Sequence, residues 1–219
     1  MKKSFLLLLS IILSISVHAQ FRFGLKASMT NSGFFYPYTT NAIYTPLPKI
    51  LANAGIVANY KICKWFSMQA ELIYNPFSTS TKVTNDYVNF YTGGFDEENS
   101  TMKVRTQYLE IPLITKFTLF GNQKVNLDIF AGGFIARRIA SVKQHLDHNP
   151  AFNANSDYTT LNAGFTSGIG LSIMQQRMFF DIRTTRGLMN IHPDSEDFKI
   201  TTVQGACTVG YYLFRGKKK

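Results

Sequence analysis

Eight charged residues of this sequence lie in stretches where apolar residues alternate with polar ones. They comprise four bases and four acids: Arg22, Lys26, Glu71, Glu110, Lys116, Asp128, Asp181 and Arg183. Carboxylates among ammonium and guanidinium groups can line a path for ions, or they can pair with one another as a buried structural plug. The equal numbers of the two signs favour a structural, lumenal charge network. Glu110, which lies beside Pro112, is expected to contribute most to folding.

Other side chains with donor or nucleophilic atoms lie in polar stretches between the alternating segments. His145, Asp147 and His148 suit a metal ion, but they fall in one loop with no fourth ligand. His192 and Ser195 are close in sequence, yet no third group orients them as a catalytic set requires. We therefore expect no catalytic residues, no metal site and no cofactor, and we expect that the protein is not an enzyme.

The stretch from residue 108 to 117 shows the alternation most clearly. Its sequence, YLEIPLITKF, places leucine, isoleucine and phenylalanine on one side and Glu110 and Lys116 on the other. A period of two residues marks a β-strand whose two faces meet different environments. Glu110 and Lys116 are therefore predicted to share one face of a strand whose opposite face is apolar.

Eight such segments follow one another along the chain. We place them at about residues 20–29, 51–62, 66–75, 103–117, 125–137, 158–173, 178–188 and 198–214. Polar loops are predicted at about residues 30–49, 76–101, 138–157 and 191–197, and tight turns join the other segments. Pro76 is expected to end the third strand. An even number of strands with alternately long and short connections indicates an antiparallel up-and-down barrel.

The ends and the composition of the chain indicate export to a membrane. Residues 1–19 have the basic start, apolar centre and small-residue cleavage site of a signal peptide, which leaves a barrel domain at 20–214 and a basic tail at 215–219. Hydrophobic residues make up 45% of the chain, aromatics 14% and charged residues only 16%. This composition, without an apolar run long enough for a membrane helix, is typical of a transmembrane β-barrel. The net charge of +10 comes with no recognition motif, so nucleic acid is not an expected partner.

A transmembrane barrel and a soluble lipocalin-like barrel share this alternation but face opposite ways. The outward face of a soluble barrel is usually rich in lysine and glutamate, whereas the polar face here carries mainly glycine, amide and hydroxyl side chains. The apolar face ends in aromatic residues beside the short turns, as expected at a membrane interface: Phe21, Trp65, Phe66, Phe117, Phe180 and Tyr211. We therefore predict outer-membrane lipid outside the barrel and the eight charges inside it.

Several motifs resemble a known family. FGLKA at residues 23–27 and YLEIPL at 108–113 are similar to the PorT-like, porin-family outer-membrane β-barrel proteins of Bacteroidota, and residues 164–173 and 180–183 fit the same pattern. The resemblance covers about residues 20–214. It implies an all-β, eight-stranded antiparallel up-and-down transmembrane β-barrel in the cell outer membrane, and it says little about activity.

Three hypotheses for function follow. The first is a non-enzymatic outer-membrane barrel with a structural, interaction or secretion-associated role through its outer loops, in contact with lipid and with other envelope or secretion proteins. Aromatic residues near those loops, including Phe34 and Phe35, could bind a partner or anchor the chain at the interface. The second is a narrow porin for small solutes. The third is a soluble, lipocalin-like periplasmic barrel that binds an apolar ligand.

Overall fold

The computed structural model describes residues 20–35, 42–47, 49–88, 95–121, 124–146, 152–153, 158–191 and 199–216. These residues form eleven strands: β1 (Gln20–Phe35), β2 (Ala42–Leu47), β3 (Lys49–Lys61), β4 (Phe66–Val88), β5 (Phe95–Gly121), β6 (Asn126–Arg138), β7 (Lys143–Leu146), β8 (Phe152–Asn153), β9 (Leu161–Ile173), β10 (Met178–Gly187) and β11 (Thr201–Arg215). In this part of the chain no helix has the length and apolar character needed to cross a membrane. The predicted signal peptide, and also Asp147, His148, His192 and Ser195, lie outside the described residues.

Eight of these strands close into one antiparallel barrel. Going around it, the neighbours are β1, β3, β4, β5, β6, β9, β10 and β11, and β11 pairs with β1 again. Each wall strand thus pairs with the next wall strand along the chain, which is an up-and-down topology. The predicted eight-stranded antiparallel up-and-down barrel is confirmed.

Strands β4 and β5 are longer than the barrel and continue past its loop end as a hairpin. Their pairing extends as far as Val88 and Phe95. β2 pairs with the free side of β4, β7 pairs with β5, and β8 pairs with β7. These five strands extend the barrel wall as a sheet, which we call the outer sheet. The expected loops at 30–49, 76–101 and 138–157 are therefore partly strand.

The prediction that Pro76 ends the third strand is wrong. β3 pairs with β4 only as far as Tyr74, and β2 joins β4 from Ser80 onward. Between these two residues β4 has no neighbour on that side among the described pairings. A proline, which lacks an N–H donor, therefore fits there without a lost ladder bond, and β4 continues through it.

The wall strands alternate between exposed apolar side chains and buried side chains that point inward. Leu25, Leu113 and Ile169 are more than half exposed on the outer surface, whereas the polar residues of the same strands are buried. The lumen carries apolar side chains at two levels. Towards the loop end, a cluster that we call the mouth cluster contains Phe34, Phe77, Val104, Tyr108, Phe134, Ala136, Val142, Tyr158, Ile191 and Ile200. A smaller cluster contains Val57, Phe179 and Tyr212.

Glycines give the aromatic rings room in this narrow lumen. A Cβ atom at Gly210 would lie 2.0 Å from Cζ of Phe179, and one at Gly168 would lie 2.7 Å from Cζ of Phe130. Eight strands leave an interior just wide enough for side chains. The rings of Phe130 and Phe179 therefore occupy space that a side chain on the neighbouring strand would otherwise fill.

Candidate functional site in the barrel interior

Glu71 is the centre of the charges inside the barrel. Its Oε2 accepts hydrogen bonds from Lys26 Nζ at 2.8 Å and from Arg183 NH1 at 2.9 Å. Its Oε1 accepts from Arg183 NH2 at 3.1 Å and from the side-chain amide of Gln69. Glu71 is only 3% exposed, so its charge is compensated by these donors rather than by water.

Asp181 is the second carboxylate of this group. Its Oδ2 accepts a hydrogen bond from Arg183 NH2 at 2.8 Å, and its Oδ1 lies 3.6 Å from Lys116 Nζ. The cations of Lys116 and Arg183 also lie 5.2 and 5.3 Å from the ring centroid of Phe130. Because three bases face two acids here, the negative face of this ring adds to the compensation. Together these residues form the central network: Lys26, Glu71, Lys116, Asp181 and Arg183.

The other predicted lumenal residues lie inside the barrel but at other levels. Towards the loop end, Glu110 Oε2 accepts a hydrogen bond from Asn75 Nδ2 at 3.0 Å. Towards the turn end, Asp128 Oδ1 accepts one from Thr118 Oγ1 at 2.6 Å. All eight predicted side chains are buried in the lumen. The structure joins five of them in one network and places the rest apart.

Arg22 closes the turn end of the lumen together with a turn residue. Its guanidinium donates to the side chain and to the main-chain carbonyl of Gln176, and it lies 5.8 Å from the ring centroid of Tyr212. Gln176 follows Met174 and Gln175 in the turn between β9 and β10, and all three have positive φ, from 51° to 65°. This backbone conformation is unfavourable for residues other than glycine. The turn that adopts this conformation holds the side chain of Gln176 buried against Arg22.

The sequence analysis missed the neutral partners of the charges. Asn75 and Gln204 exchange two hydrogen bonds of 3.1 and 3.2 Å, and Tyr212 donates to Gln69 at 3.1 Å. These residues occupy inward positions of the same alternating strands, so the period of two could have identified them. Gln176 lies in a turn, and no comparable signal in the sequence marks it.

Two small cavities lie between the described side chains of the lumen. One cavity of about 20 Å³ lies on the loop side of the central network beside Glu110, and another of about 20 Å³ lies on the turn side beside Arg22 and Asp128. Each volume is room for about one water molecule. The described residues contain no group of three or more His, Cys, Asp or Glu that could hold a metal ion, and His145 lies in β7 opposite Lys103.

Aromatic side chains mark the turn end of the outer surface. Trp65 stacks on Phe117 with ring centroids 6.1 Å apart, and Phe66 lies 5.0 Å from Phe117. Phe180 and Tyr211 are also exposed near this end. Aromatic rings at such a level are typical of the boundary between hydrocarbon and water.

A family model matches most of this chain, and several solved structures have a similar fold. The model described as "Outer membrane protein beta-barrel domain" matches residues 12–193. No curated protein sequence matches the chain. One similar structure is Ail, the attachment invasion locus protein of Yersinia pestis, in complex with the heparin analogue sucrose octasulfate: it is 10% identical, has a TM-score of 0.43, and the match covers 91% of this chain and 99% of Ail.

Two further solved structures have a comparable likeness. Neisserial surface protein A is 9% identical with a TM-score of 0.43, and the match covers 87% of this chain and 97% of that protein. OprG from Pseudomonas aeruginosa is 12% identical with a TM-score of 0.40, and the match covers 90% of this chain and 95% of OprG.

Proposed function

The chain belongs to the outer membrane protein beta-barrel domain family, and we propose that it is a closed, non-enzymatic barrel whose outer end carries the interaction surface. Family membership agrees with the resemblance of the FGLKA and YLEIPL motifs. The narrower PorT-like assignment and an origin in Bacteroidota stay predictions. The single observation that carries the proposal is the filled lumen, with charged side chains between two apolar clusters.

The central network favours a structural interior over a conducting one. Glu71 and Asp181 are held by bases from other strands at 2.8 to 3.6 Å. An ion moving through the lumen would have to displace these contacts, and breaking a buried ion pair is strongly unfavourable. We therefore assign the eight lumenal charges, Arg22, Lys26, Glu71, Glu110, Lys116, Asp128, Asp181 and Arg183, to stabilising the closed barrel.

The mouth cluster closes the loop end in the same way. Phe34 stacks on Phe77 with ring centroids 5.2 Å apart, and Phe77 meets Tyr108 edge to face at 6.2 Å. Phe34 was one of the aromatic residues expected to bind a partner or to anchor the chain at the interface. Its burial in the barrel mouth instead supports a role in closing the lumen.

With the lumen filled, the outer sheet is the surface best suited to binding another envelope or secretion protein. It extends beyond the barrel, and its outermost strands are the short β2 and β8. The remaining parts of the proposal follow the sequence: a signal peptide at residues 1–19 exports the chain, residues 20–214 form the barrel domain, and the apolar outer surface contacts outer-membrane lipid.

Conductance in a planar bilayer tests the closed lumen. Refolded protein is expected to give no current steps while its gel mobility changes on heating, which shows that the barrel is folded. Discrete steps from the same preparation would contradict the proposal and favour the narrow porin. Cell fractionation tests the location, since recovery in the soluble fraction would favour the lipocalin-like alternative.

A further inference from the structure

At the loop end of the barrel, outward-facing positions carry basic residues. Arg137 is exposed on β6, Arg105 is exposed on β5, and Lys143 is exposed on β7. Arg105 and Lys143 are direct partners across their two strands. We call Arg105, Arg137 and Lys143 the basic rim patch.

The basic rim patch begins where the apolar outer surface ends. Arg137 pairs with Leu109 on one side and with Leu161 on the other. On β5 the outward positions from Leu109 to Phe117, whose ring stacks on Trp65 in the aromatic group at the turn end, span about 27 Å along the strand at roughly 3.4 Å per residue. With a strand tilt of about 40°, this distance corresponds to about 20 Å across a membrane, close to the apolar band of about 25 Å on known barrels. The patch therefore lies at the level of lipid headgroups.

None of the acids whose side chains the structure describes lies beside the patch. Among residues whose side chains the structure describes, every acid points into the lumen: Glu71, Glu110, Asp128 and Asp181. Another outward base at the loop end, Arg186 on β10, lies over the ring of Phe35 at 4.9 Å from its centroid. The outer surface at this level is therefore cationic on more than one side of the barrel.

We propose that the basic rim patch binds the phosphate groups of an anionic lipid in the leaflet at the loop end. The inference rests on the proposed function, because it requires the barrel to span a bilayer. A guanidinium can donate two parallel hydrogen bonds to one phosphate. Arg105 and Arg137 provide such groups at headgroup level, and Lys143 beside Arg105 adds a third positive charge.

The fluorescence of a tryptophan beside the patch, quenched by brominated lipids, can show which lipid lies there. The chain has one tryptophan, Trp65, so Trp65→Phe with Leu161→Trp places a single reporter next to Arg137. This protein is refolded into phosphatidylcholine vesicles that contain either brominated phosphatidylglycerol or brominated phosphatidylcholine as the quencher. We expect the anionic lipid to be enriched about fivefold or more at the reporter, as expected for at least one basic residue near an anionic headgroup.

Charge-matched variants assign the enrichment to the patch. The combination R105Q/R137Q/K143Q is expected to abolish it, whereas K64Q/K124Q/R177Q, which removes three bases from the turn end, is expected to preserve it. R105K/R137K, which keeps the charge, is also expected to preserve a preference for the anionic lipid. Loss of enrichment in the turn-end variant, or its persistence without the three patch bases, would overturn the proposal.

The reporter protein with all three patch bases in place gives a test that does not depend on the folding of the charge variants. Equal quenching by the two brominated lipids in the reporter protein would overturn the lipid proposal and leave the membrane placement intact. Quenching by neither lipid would mean that Leu161 does not face the bilayer, and the proposed function itself would then fail. If inorganic phosphate at constant ionic strength removes the preference, the patch binds soluble anions and the lipid assignment is wrong.

Discussion

Glu71 and Arg183 form a two-pronged ion pair that joins opposite walls of the barrel. The two nitrogen–oxygen distances are 2.9 and 3.1 Å. β4 and β10, which carry these residues, are four strands apart in the closed ring of eight. The planar guanidinium matches the carboxylate geometry, so the pair fixes the width of the lumen at this level.

Glu71→Gln is expected to destabilise the folded barrel by about 3–5 kcal/mol, because Lys26 and Arg183 would then be buried with too little negative charge. The free energy of unfolding in urea, measured with the protein in lipid vesicles, tests this value. Glu110→Gln is the matched control. It alters a carboxylate that Asn75 binds, and a loss near 1 kcal/mol is expected for one hydrogen bond. An equal loss in both variants would contradict the central position of Glu71, and a larger loss for Glu110→Gln would support the prediction that Glu110 contributes most to folding.

Gly210→Ala is expected to destabilise the barrel by about 1–3 kcal/mol, because a Cβ atom would overlap the ring of Phe179. Gly205→Ala, on the same strand, should have little effect, since nothing lies within 4 Å of its added methyl group. The measurement is the temperature at which the folded band on an unboiled gel is lost. Adding Phe179→Leu to the Gly210→Ala variant should recover part of the loss. No recovery would mean that Phe179 is not the obstacle.

Gln175→Gly is expected to stabilise the protein by about 1 kcal/mol, because glycine adopts positive φ without a steric cost. Gln175 is exposed, and its carbonyl, which accepts a hydrogen bond from Arg215, is kept. Lys64→Gly, in a turn position without positive φ, should instead lower the stability slightly. Both changes can be measured as shifts in the urea midpoint of unfolding, and a destabilised Gln175→Gly variant would argue against strain in this turn.

Leu113→Arg is expected to destabilise the membrane-inserted barrel by about 2–4 kcal/mol, since Leu113 lies in the middle of the apolar outer surface. Leu213→Arg, close to the turn end, should cost only about 0–1 kcal/mol because the side chain can reach the headgroups. Folding yield and unfolding free energy in vesicles of defined thickness test this difference. Equal, small effects at both positions would indicate that this surface faces water.

Much of the interior could be predicted because the facing of a side chain in a strand is local information. Residues two apart share a face, so the alternation alone placed Lys116 and Glu110 in the lumen. The pairing between them could not be obtained in this way. Whether a residue is at an odd or an even position tells which face of the strand it is on, but not its level along the barrel axis. Which residues of opposite walls lie at the same level depends on the register of every strand between them. The contact of Glu71 with Arg183, 112 residues away, therefore had no signal in the sequence.

Pro112 shows why the ends of strands and the gaps in their pairing were also difficult to predict. The β4–β5 pairing passes from Leu113 with Ala70 directly to Glu110 with Ile73, so the ladder is interrupted opposite Glu71. A proline removes one donor, but whether a strand ends or continues depends on its neighbours. At Pro76 the described pairings give β4 no strand neighbour on one side, and at Pro112 the pairing with β6 continues. Both strands therefore continue through their prolines.

The pairing of β1 with β11 has a consequence for the order of folding. Ser28 and Thr208, which share a hydrogen bond of 2.8 Å between their hydroxyl groups, are 180 positions apart in sequence. Contacts of such high sequence separation form late, because closing a long segment of chain costs entropy before the contacts form. Until the barrel closes, the outer edge of β1 and the edge of the last strand added to the sheet expose unpaired backbone groups that can pair with other chains. Assembly must therefore keep the edge of β1 that does not face β3 unpaired until β11 arrives, so closure of the β1–β11 seam is the slow step and the point most open to misassembly.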